Sequence, residues 1–563
     1  MIGVLCKASQ LEVVEEFFQL FKTPWEFYRP DSNYAVVVAT TAEVRNVNAK
    51  LLVASGPERK DIDAELGIVP ERAVASATLT CGDRSLPIYG GICGFGEEAG
   101  GTVVANIGAE IVGVKMSRPD ATVIRLGFDL FEEVERLLTD GQPIEHAPTP
   151  TLDCHIDNLR SWILEAGIPL IEIPPVPAGY DFAVCLTHDI DFIGIRQHKF
   201  DHTMWGFLYR SSVGAARNWL KRRISSRQLL KTWRAAATLP FVYLGLAEDF
   251  WEPFEWYLKA EQGLGATYFL IPFKRRAGER VPGVHANRRA SAYDVGDLKK
   301  EVSRLSEQGC EVGVHGLDAW HSVEKARAEL DRVSQVSGRP STGIRMHWLL
   351  QDARTPEILE DAGFSYDSTG GYNETVGYRN GTVQAFRPLG ARMLLELPMH
   401  IQDGALFYPQ RLNLSDEQAA QCCRALIDHA GNHGGVLTLL WHDRSHGPER
   451  FWGDFYLTLL EKLKAMNVWF GTAGQVVDWF RVRRAITFQR VETAAGVQAQ
   501  PLCPGPGIEP PVRIRIHRSK QSSGQGTRAT FVDIPWNGTS LEEVVQHLPA
   551  PLSATAVVDS VLS

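Results

Sequence analysis

The pattern of hydrophobic and polar positions is most regular between residues 180 and 482. Short apolar stretches alternate there with stretches of helical spacing, and each apolar stretch is followed at once by polar residues. Repeated strand and helix units of this kind predict a parallel sheet, either a closed barrel or a doubly wound sheet. We favour the barrel, because its strands end directly in the polar residues that carry chemistry.

The stretch YDFAVCLTHDID, residues 180–191, begins this region and organises it. Its alternating apolar positions predict a buried strand. The strand runs into four polar residues: Thr187, His188, Asp189 and Asp191. Asp189 and Asp191 are two positions apart, so they point the same way from an extended chain and repel unless a cation or proton lies between them. The alternative is that they cap the next helix or turn.

The flanking regions have patterns of their own, and 563 residues are too many for a single core. Residues 1–150 mix strand and helix patterns and predict a separate α/β domain of unknown role. Residues 151–179 are predicted to be a linker with proline-rich stretches. Residues 483–563 alternate like β-strands and predict a small β-rich appendage.

A basic insertion interrupts the barrel at about residues 195–246. Eight Lys and Arg residues fall between positions 210 and 234, interleaved with Trp and Leu. Amphipathic helices of this composition can contact anionic lipid or an anionic glycan. The alternative is a solvated helical cover over the barrel.

Composition restricts the class of protein. The net charge of -9 and the pI near 6.0 give no reason to expect nucleic-acid binding. The nine cysteines are scattered and form no C-x-x-C pair, which argues against a disulfide framework and fits a reducing compartment. The sequence shows neither a signal-peptide pattern at its start nor a run of 18 apolar residues. We therefore expect a cytoplasmic protein.

Four predicted strand ends carry groups suited to catalysis. They are Asp189 with Asp191, His315 with Asp318 and His321, Arg345 with His347, and His442 with Asp443. One Asp and two His residues can hold a divalent metal and leave positions open for water and substrate. A further carboxylate can then act as base, and a separate histidine as acid.

In motif order and strand context, residues 180–475 resemble the polysaccharide deacetylase family, also called the NodB-homology domain. The stretches that carry the resemblance are THDID, ATYFL, EVGVH, GIRMH and LLWHD. The resemblance implies a distorted (β/α) barrel and a divalent-metal hydrolase, with zinc the expected ion. It covers about half of the chain.

The resemblance also implies a role for each matching residue. Asp189 corresponds to the base and Asp191 to a metal ligand. His315 corresponds to a second ligand, Arg345 to the arginine that orients the base, and His442 to the general acid.

The chain departs from the family pattern in two places. The second metal-binding histidine normally comes four residues after the first, where this chain has Ala319, so His321 is the expected third ligand and Asp318 the fallback. Prolines usually follow the arginine, where this chain has Met346, His347 and Trp348. We expect the following residues to contact substrate: His347, Trp348, Tyr372, Asn373, Asp403 and Trp441.

The resulting hypothesis is a metal-dependent hydrolase that removes an N-acetyl or similar acyl group from an amino sugar. The expected substrate is a polysaccharide or glycolipid intermediate. In one version of the hypothesis this intermediate is lipid-linked, and the insertion then contacts the membrane surface. A second hypothesis keeps the metal but changes the bond to another amide, such as a ureide, or to a sugar ester. A third is a degenerate barrel that binds glycan without catalysis. Its motivation is the unusual motif THDID and the alanine, Ala319, at the position of the family's second histidine.

Overall fold

The structure is a computed structural model. It describes residues 1–538 except 71–72, 75–76, 83, 97–99, 120, 223, 280–288, 341, 494–495, 504, 506 and 518–530. Residues 518–530 and 539–563 of the predicted appendage therefore lie outside the described residues.

The N-terminal region is built on a nine-stranded mixed sheet in the order β2-β1-β3-β4-β11-β10-β9-β6-β7. The strands of this sheet are β1 (Ile2–Leu5), β2 (Trp25–Phe27), β3 (Tyr34–Ala39), β4 (Ala49–Ser55), β6 (Ala77–Cys81), β7 (Arg84–Ile88), β9 (Thr102–Ile107), β10 (Glu110–Ser117) and β11 (Thr122–Leu126). Strands β5 (Ala73–Val74) and β8 (Ile92–Cys93) form a separate two-stranded sheet. Helices α1 (Leu11–Phe21) and α2 (Leu130–Thr139) pack together, with the rings of Phe17 and Phe131 5.8 Å apart. The α/β character predicted for this region is present.

The segment predicted as a linker contains regular structure. Helix α3 (Thr151–Glu165) and strand β12 (Leu170–Glu172) lie within it. Asp153 on α3 accepts a hydrogen bond of 2.7 Å from the hydroxyl of Thr382 in the barrel region. The helix thus ties the N-terminal sheet to the barrel.

The barrel region holds one curled parallel sheet in the order β18-β17-β16-β15-β14-β13-β20-β19, and β21 also pairs with β13. Its strands are β13 (Phe182–Ile190), β14 (Ala266–Leu270), β15 (Glu311–Gly316), β16 (Ile344–Met346), β17 (Tyr366–Asp367), β18 (Leu395–Glu396), β19 (Ile401–Gln402), β20 (Val436–Leu440) and β21 (Val468–Phe470). The predicted fold class, a distorted (β/α) barrel with an α/β domain before it and β structure after it, is confirmed.

Helices cover the outside of this sheet and one end of it. They are α4 (His202–Tyr209), α5 (Ala215–Leu220), α6 (Ser226–Tyr243), α7 (Phe254–Ala260), α8 (Lys299–Glu307), α9 (Val323–Ser337), α10 (Thr355–Ala362), α11 (Asp403–Phe407), α12 (Asp416–His433), α13 (Trp452–Lys464) and α14 (Ala473–Ala485). Every residue of the central strand β13 is buried, as expected for a parallel strand covered on both faces.

The two faces of β13 join different cores. Val184 and Leu186 pack in the cluster that includes the outer helices, whereas Ala183 and Cys185 pack with Phe480 of α14. Because side chains alternate along a strand, the odd-numbered residues that follow lie on the same face as Ala183 and Cys185. The side chains of Asp189 and Asp191 therefore point to the interior of the barrel, at the end where the other parallel strands also finish.

The C-terminal region pairs with the rest of the chain. Strands β22 (Thr487–Thr493) and β23 (Gly496–Leu502) form a hairpin, and β24 (Val512–His517) lies between β12 and β25 (Phe531–Trp536). Glu172 on β12 lies 2.6 Å from His517 on β24 and 2.8 Å from Arg160 on α3. This ion-paired group joins the C-terminal strand β24 to α3 and β12, with 345 positions between Glu172 and His517.

The basic insertion is helical. Helices α4 and α5 are joined by a π-helical segment, Arg210–Gly214, and α6 packs beside it. Phe207, Leu239 and Val242 are buried around Trp251, which anchors the insertion to the barrel. Across the described ranges, no helix is both long enough and apolar enough to cross a bilayer.

Candidate active site

Three side chains from different strand ends meet at one point. Asp191 follows β13, His315 lies on β15, and His347 follows β16. The Oδ1 atom of Asp191 lies 3.4 Å from Nε2 of His315 and 3.3 Å from Nε2 of His347. One ligand atom from each residue lies within 4.8 Å of the others. They come together because neighbouring parallel strands end at the same edge of the sheet.

This group fits a divalent metal ion. Two atoms that each lie about 2.1 Å from one zinc ion are about 3 to 3.5 Å apart, which matches the distances found. The Oδ1 atom of Asp191 is buried and accepts no hydrogen bond from any described residue. Nδ1 of His315 donates to the carbonyl of Arg345 at 3.1 Å, which turns the lone pair of Nε2 toward Asp191.

The protonation state of His347 agrees with such a role. Burial lowers the pKa of His347 to about 3, although the nearby Asp191 carboxylate acts in the opposite direction. The imidazole is therefore neutral at physiological pH, which is the form that binds a metal.

His321 does not join this group, which corrects the expectation that it is the third ligand. Its Nε2 atom lies 3.7 Å from Asp318 and 3.8 Å from Glu279. Strand β15 ends at Gly316, and His321 lies beyond a turn, next to the residue that caps α9. Asp318, the fallback, instead accepts the backbone N–H of Glu279 at 2.7 Å.

His347 was expected to contact substrate, and the structure places it with the two other ligand candidates. The signal in the sequence is its spacing from Arg345. The two residues are two positions apart at a strand end, the same relation that links Asp189 to Asp191.

Asp189 is held by Arg345, as expected from the resemblance. A nitrogen of Arg345, Nη1, donates to Oδ1 of Asp189 at 3.1 Å and to the hydroxyl of Thr187 at 2.8 Å. The remaining guanidinium nitrogens donate to the carbonyl and hydroxyl oxygens of Ser368, at 2.9 and 2.8 Å. Both side chains of the pair are buried. The guanidinium is thus held by Thr187 and Ser368 and in turn engages one carboxylate oxygen of Asp189.

His442 is held by hydrogen bonds to the carboxylate of Asp403. Nδ1 of His442 donates to Oδ1 of Asp403 at 2.6 Å, and the backbone N–H of His442 donates to Oδ2 at 2.8 Å. Ser445 also donates its hydroxyl to Oδ2. Burial lowers the pKa of His442, but the Asp403 carboxylate outweighs it and raises that pKa to about 10. Asp403 was expected to contact substrate; it is fully buried and positions His442 instead.

Asp443 is next to the ligand group because its carboxylate contacts the backbone of Asp191. Its Oδ1 atom accepts the backbone N–H of Asp191 at 3.3 Å, and Ser291 donates its hydroxyl to the carbonyl of Asp191 at 2.9 Å. Burial and the nearby Asp191 carboxylate raise the pKa of Asp443 to about 7, while Arg444 opposes them. No pattern around Ser291 in the sequence pointed to this contact.

Two aromatic residues expected to hold a sugar lie in the core. Trp441 is fully buried, and its indole N–H donates to the carbonyl of Trp452 at 3.3 Å. Tyr372 is buried as well and donates its hydroxyl to the carbonyl of Gln142 at 2.7 Å. Both expectations are corrected, since neither ring presents a face to a ligand.

That Trp348 and Asn373 contact substrate stays a prediction. Both are half-buried, and the side-chain amide of Asn373 donates to the carbonyl of Trp348 at 3.0 Å. Trp348 adopts a left-handed φ of 69° in the turn directly after His347, and the two rings are 5.6 Å apart. The turn thus holds an aromatic ring beside the three-residue group.

His188, the remaining polar residue of THDID, points away from the site. It is fully buried, with Nε2 2.9 Å from Glu261 and Nδ1 2.9 Å from the carbonyl of Trp441. Its place is structural, on the face of β13 that packs against helices.

No family model matches the sequence, and no curated protein matches it. Among solved structures, the chain is similar to a Mycobacterium smegmatis protein described as a putative polysaccharide deacetylase, with 18% identity, a TM-score of 0.35, and coverage of 56% of this chain and 96% of that one. It is similar to the allantoinase Puue at 13% identity and a TM-score of 0.34, covering 54% and 92% of the two chains. A Pseudomonas aeruginosa PAO1 protein described as a probable polysaccharide deacetylase has 15% identity, a TM-score of 0.33, and coverage of 57% and 97%.

Proposed function

We propose that this chain is a metal-dependent hydrolase that removes an N-acetyl or similar acyl group from an amino sugar. One observation carries the proposal. An oriented carboxylate, a group of three ligand residues and a charged histidine lie at the same end of one barrel. A glycan-binding module needs neither a base nor an acid, so this combination argues against a degenerate barrel.

The three-residue group would hold the metal ion. Asp191, His315 and His347 offer one oxygen and two imidazole nitrogens, a donor set that suits zinc and leaves positions for water and substrate. When bound, such an ion lowers the pKa of water and polarises an acyl oxygen.

Asp189 is the proposed base. Arg345 occupies one carboxylate oxygen of Asp189, so the other is left to accept the proton of the attacking water. The water oxygen bonds to the acyl carbon, and the carbon–nitrogen bond is the one that breaks.

His442 is the proposed acid. Because the pKa of His442 is raised to about 10, it carries a proton at neutral pH. Nδ1 is engaged by Asp403, so Nε2 donates its proton to the departing amine. The products are a carboxylate and a free amino sugar.

The proposed substrate is an intermediate of polysaccharide or glycolipid synthesis. The nine cysteines are scattered and form no C-x-x-C pair, which fits a reducing compartment, and an extracellular polymer is not found in such a compartment. Trp348 and Asn373, half-buried beside the ligand group, supply a ring and an amide for a sugar.

The test is an assay of purified protein with N-acetylglucosamine and its oligomers, measuring acetate and free amine. We expect about one divalent ion per chain, lost in Asp191→Ala and His315→Ala, with release of acetate that depends on the ion. Ammonia released from a ureide without acetate would favour the second hypothesis. A fully metal-loaded chain that binds these sugars and hydrolyses none would favour the binding barrel.

A further inference from the structure

We infer that the helical insertion α4–α6 docks on an anionic lipid bilayer and brings the active site to a lipid-linked amino sugar. The part that concerns the substrate rests on the proposed function. The docking itself rests on the surface of the insertion, on its charge and on its position beside the site.

The insertion exposes an unusual share of apolar surface. Of the 21 large hydrophobic side chains that are exposed in the described part of the chain, 11 lie between residues 200 and 246. They are Phe200, Trp205, Tyr209, Val213, Trp219, Leu220, Leu230, Trp233, Phe241, Leu244 and Leu246. Phe200 is 81% exposed and Leu220 73%. Single exposed apolar residues are ordinary, but a concentration of this kind marks an interaction surface.

On α6 the exposed apolar residues form a stripe. Leu230, Trp233 and Phe241 fall within roughly 80° of the helix circumference at 100° per residue. The opposite side of the helix carries Leu239 and Val242, which are buried in the core of the insertion around Trp251. The helix therefore has two apolar faces, and only one of them has a partner in the described structure.

The positive charge of the insertion indicates that its partner is anionic. Residues 202–246 contain eight Lys and Arg residues and no Asp or Glu, in a chain whose net charge is -9. Arg227 and Arg234 lie on the flank of the exposed stripe of α6. Basic residues beside exposed Trp, Phe and Leu are the pattern of a helix that lies in the interface of an anionic membrane.

The same two features disfavour other partners. A second copy of this surface would bring eight positive charges against eight more. An anionic glycan or nucleic acid would satisfy the charges, but it offers no apolar phase for Leu220, Leu230 or Leu244. Unlike these partners, an anionic bilayer satisfies both the charge and the apolar area.

The insertion packs on the loop that carries the proposed acid. The hydroxyl of Thr232 on α6 donates to the carbonyl of Pro448 at 2.7 Å, and the Lys231 ammonium lies 5.7 Å from the ring centre of Phe451. In the same loop, the guanidinium of Arg444 lies 4.9 Å from the ring centre of Trp251, which is in the core of the insertion. The site and the docking surface are therefore neighbours, and docking holds the site near lipid headgroups.

The experiment is sedimentation of the full chain with vesicles. We expect the wild-type chain to bind vesicles of equal parts phosphatidylcholine and phosphatidylglycerol, to bind less as salt is raised, and to stay in solution with phosphatidylcholine alone. The pair Trp233→Ser and Phe241→Ser, and separately the pair Arg227→Glu and Arg234→Glu, should each weaken binding by about tenfold or more.

Matched controls lie elsewhere on the surface. Met393→Ser removes a side chain that is 72% exposed, and Lys299→Glu with Lys300→Glu reverses two exposed charges on α8. These controls should bind vesicles as the wild type does. Vesicle binding is measured without turnover, so it succeeds or fails independently of the proposed hydrolase activity.

Three results would overturn the inference. The first is a wild-type chain that does not sediment with anionic vesicles. The second is undiminished binding by both pairs of variants on α6. The third is self-association, or binding to nucleic acid, that is lost in those variants while lipid is never bound.

Discussion

The Oδ1 atom of Asp191 lies 3.3 Å from Nε2 of His347, although 156 positions separate them in the chain. This contact completes the group that His315 begins. Neighbouring strand ends, rather than one loop, supply the two imidazoles. The third ligand is therefore expected from the end of β16 and not from the turn after β15.

The first prediction distinguishes the two histidines. His347→Ala should weaken binding of a divalent ion by more than about a hundredfold, because even an outer-shell change costs ten- to a hundredfold. His321→Ala should leave the affinity unchanged, since Nε2 of His321 lies near Asp318 and Glu279 and not in the ligand group. Metal content and titration with zinc measure both. Loss of metal in His321→Ala but not in His347→Ala would restore the assignment made from the family spacing.

The second prediction concerns the base. Asp189→Asn keeps an oxygen for Arg345 but cannot accept a proton from water, so kcat should fall by about 10² to 10⁴. Metal content should stay at the wild-type level, because Asp189 is outside the ligand group. Asp191→Asn is the matched control and should lose the metal. Wild-type turnover in Asp189→Asn would remove Asp189 from the mechanism.

The third prediction is a shift in pH dependence. The Asp403 carboxylate raises the pKa of His442 to about 10, so the acid keeps its proton through neutral pH. Asp403→Asn removes that negative charge and lowers the pKa of His442. The alkaline limb of kcat should therefore move to lower pH, with a smaller change in KM.

Ser445→Ala is the control for that shift. Ser445 also donates a hydrogen bond to Asp403, but it carries no charge. Its loss should leave the alkaline limb near the wild-type position. An equal displacement in Ser445→Ala and Asp403→Asn would mean that geometry, and not charge, sets the pKa of His442.

The fourth prediction concerns the buried carboxylate of Glu172, which links β12 to α3 and to the distant strand β24. Burial raises the pKa of Glu172, but Arg160 and His517 outweigh it and lower that pKa to about 2 from 4.5. A depressed carboxylate pKa stabilises the fold above pH 4.5, and the contribution is lost as pH falls toward 2. Glu172→Gln should lower the free energy of unfolding by about 3 kcal/mol at pH 7.

Denaturant unfolding at several pH values measures this effect. The difference between wild type and Glu172→Gln should be present at pH 7 and should shrink below about pH 4.5. Glu374→Gln serves as control, because Glu374 pairs with Arg411 at the surface and such pairs are worth about 1 kcal/mol or less. A pH-independent difference would show that packing, and not the ion pair, stabilises this junction.

Sequence alone determined the fold class and the strand ends that carry the site. The alternation along β13 decided which residues face the interior, and the spacing of Asp189 and Asp191 placed both carboxylates on that side. The matches at His315, Arg345 and His442 lie at strand ends in the structure too. These features are local, because an apolar strand followed by polar residues depends on only a few neighbouring positions.

Tertiary structure alone decided which side chains meet. His321 and His347 both follow strands, and the path of the chain beyond Gly316 and Met346 determines which of them faces Asp191. The same holds for Asp403, which faces His442, and for Trp441, which lies in the core. Such contacts join positions that are far apart in the chain, so the relative placement of strands and helices sets them, and no pattern of neighbouring residues records it.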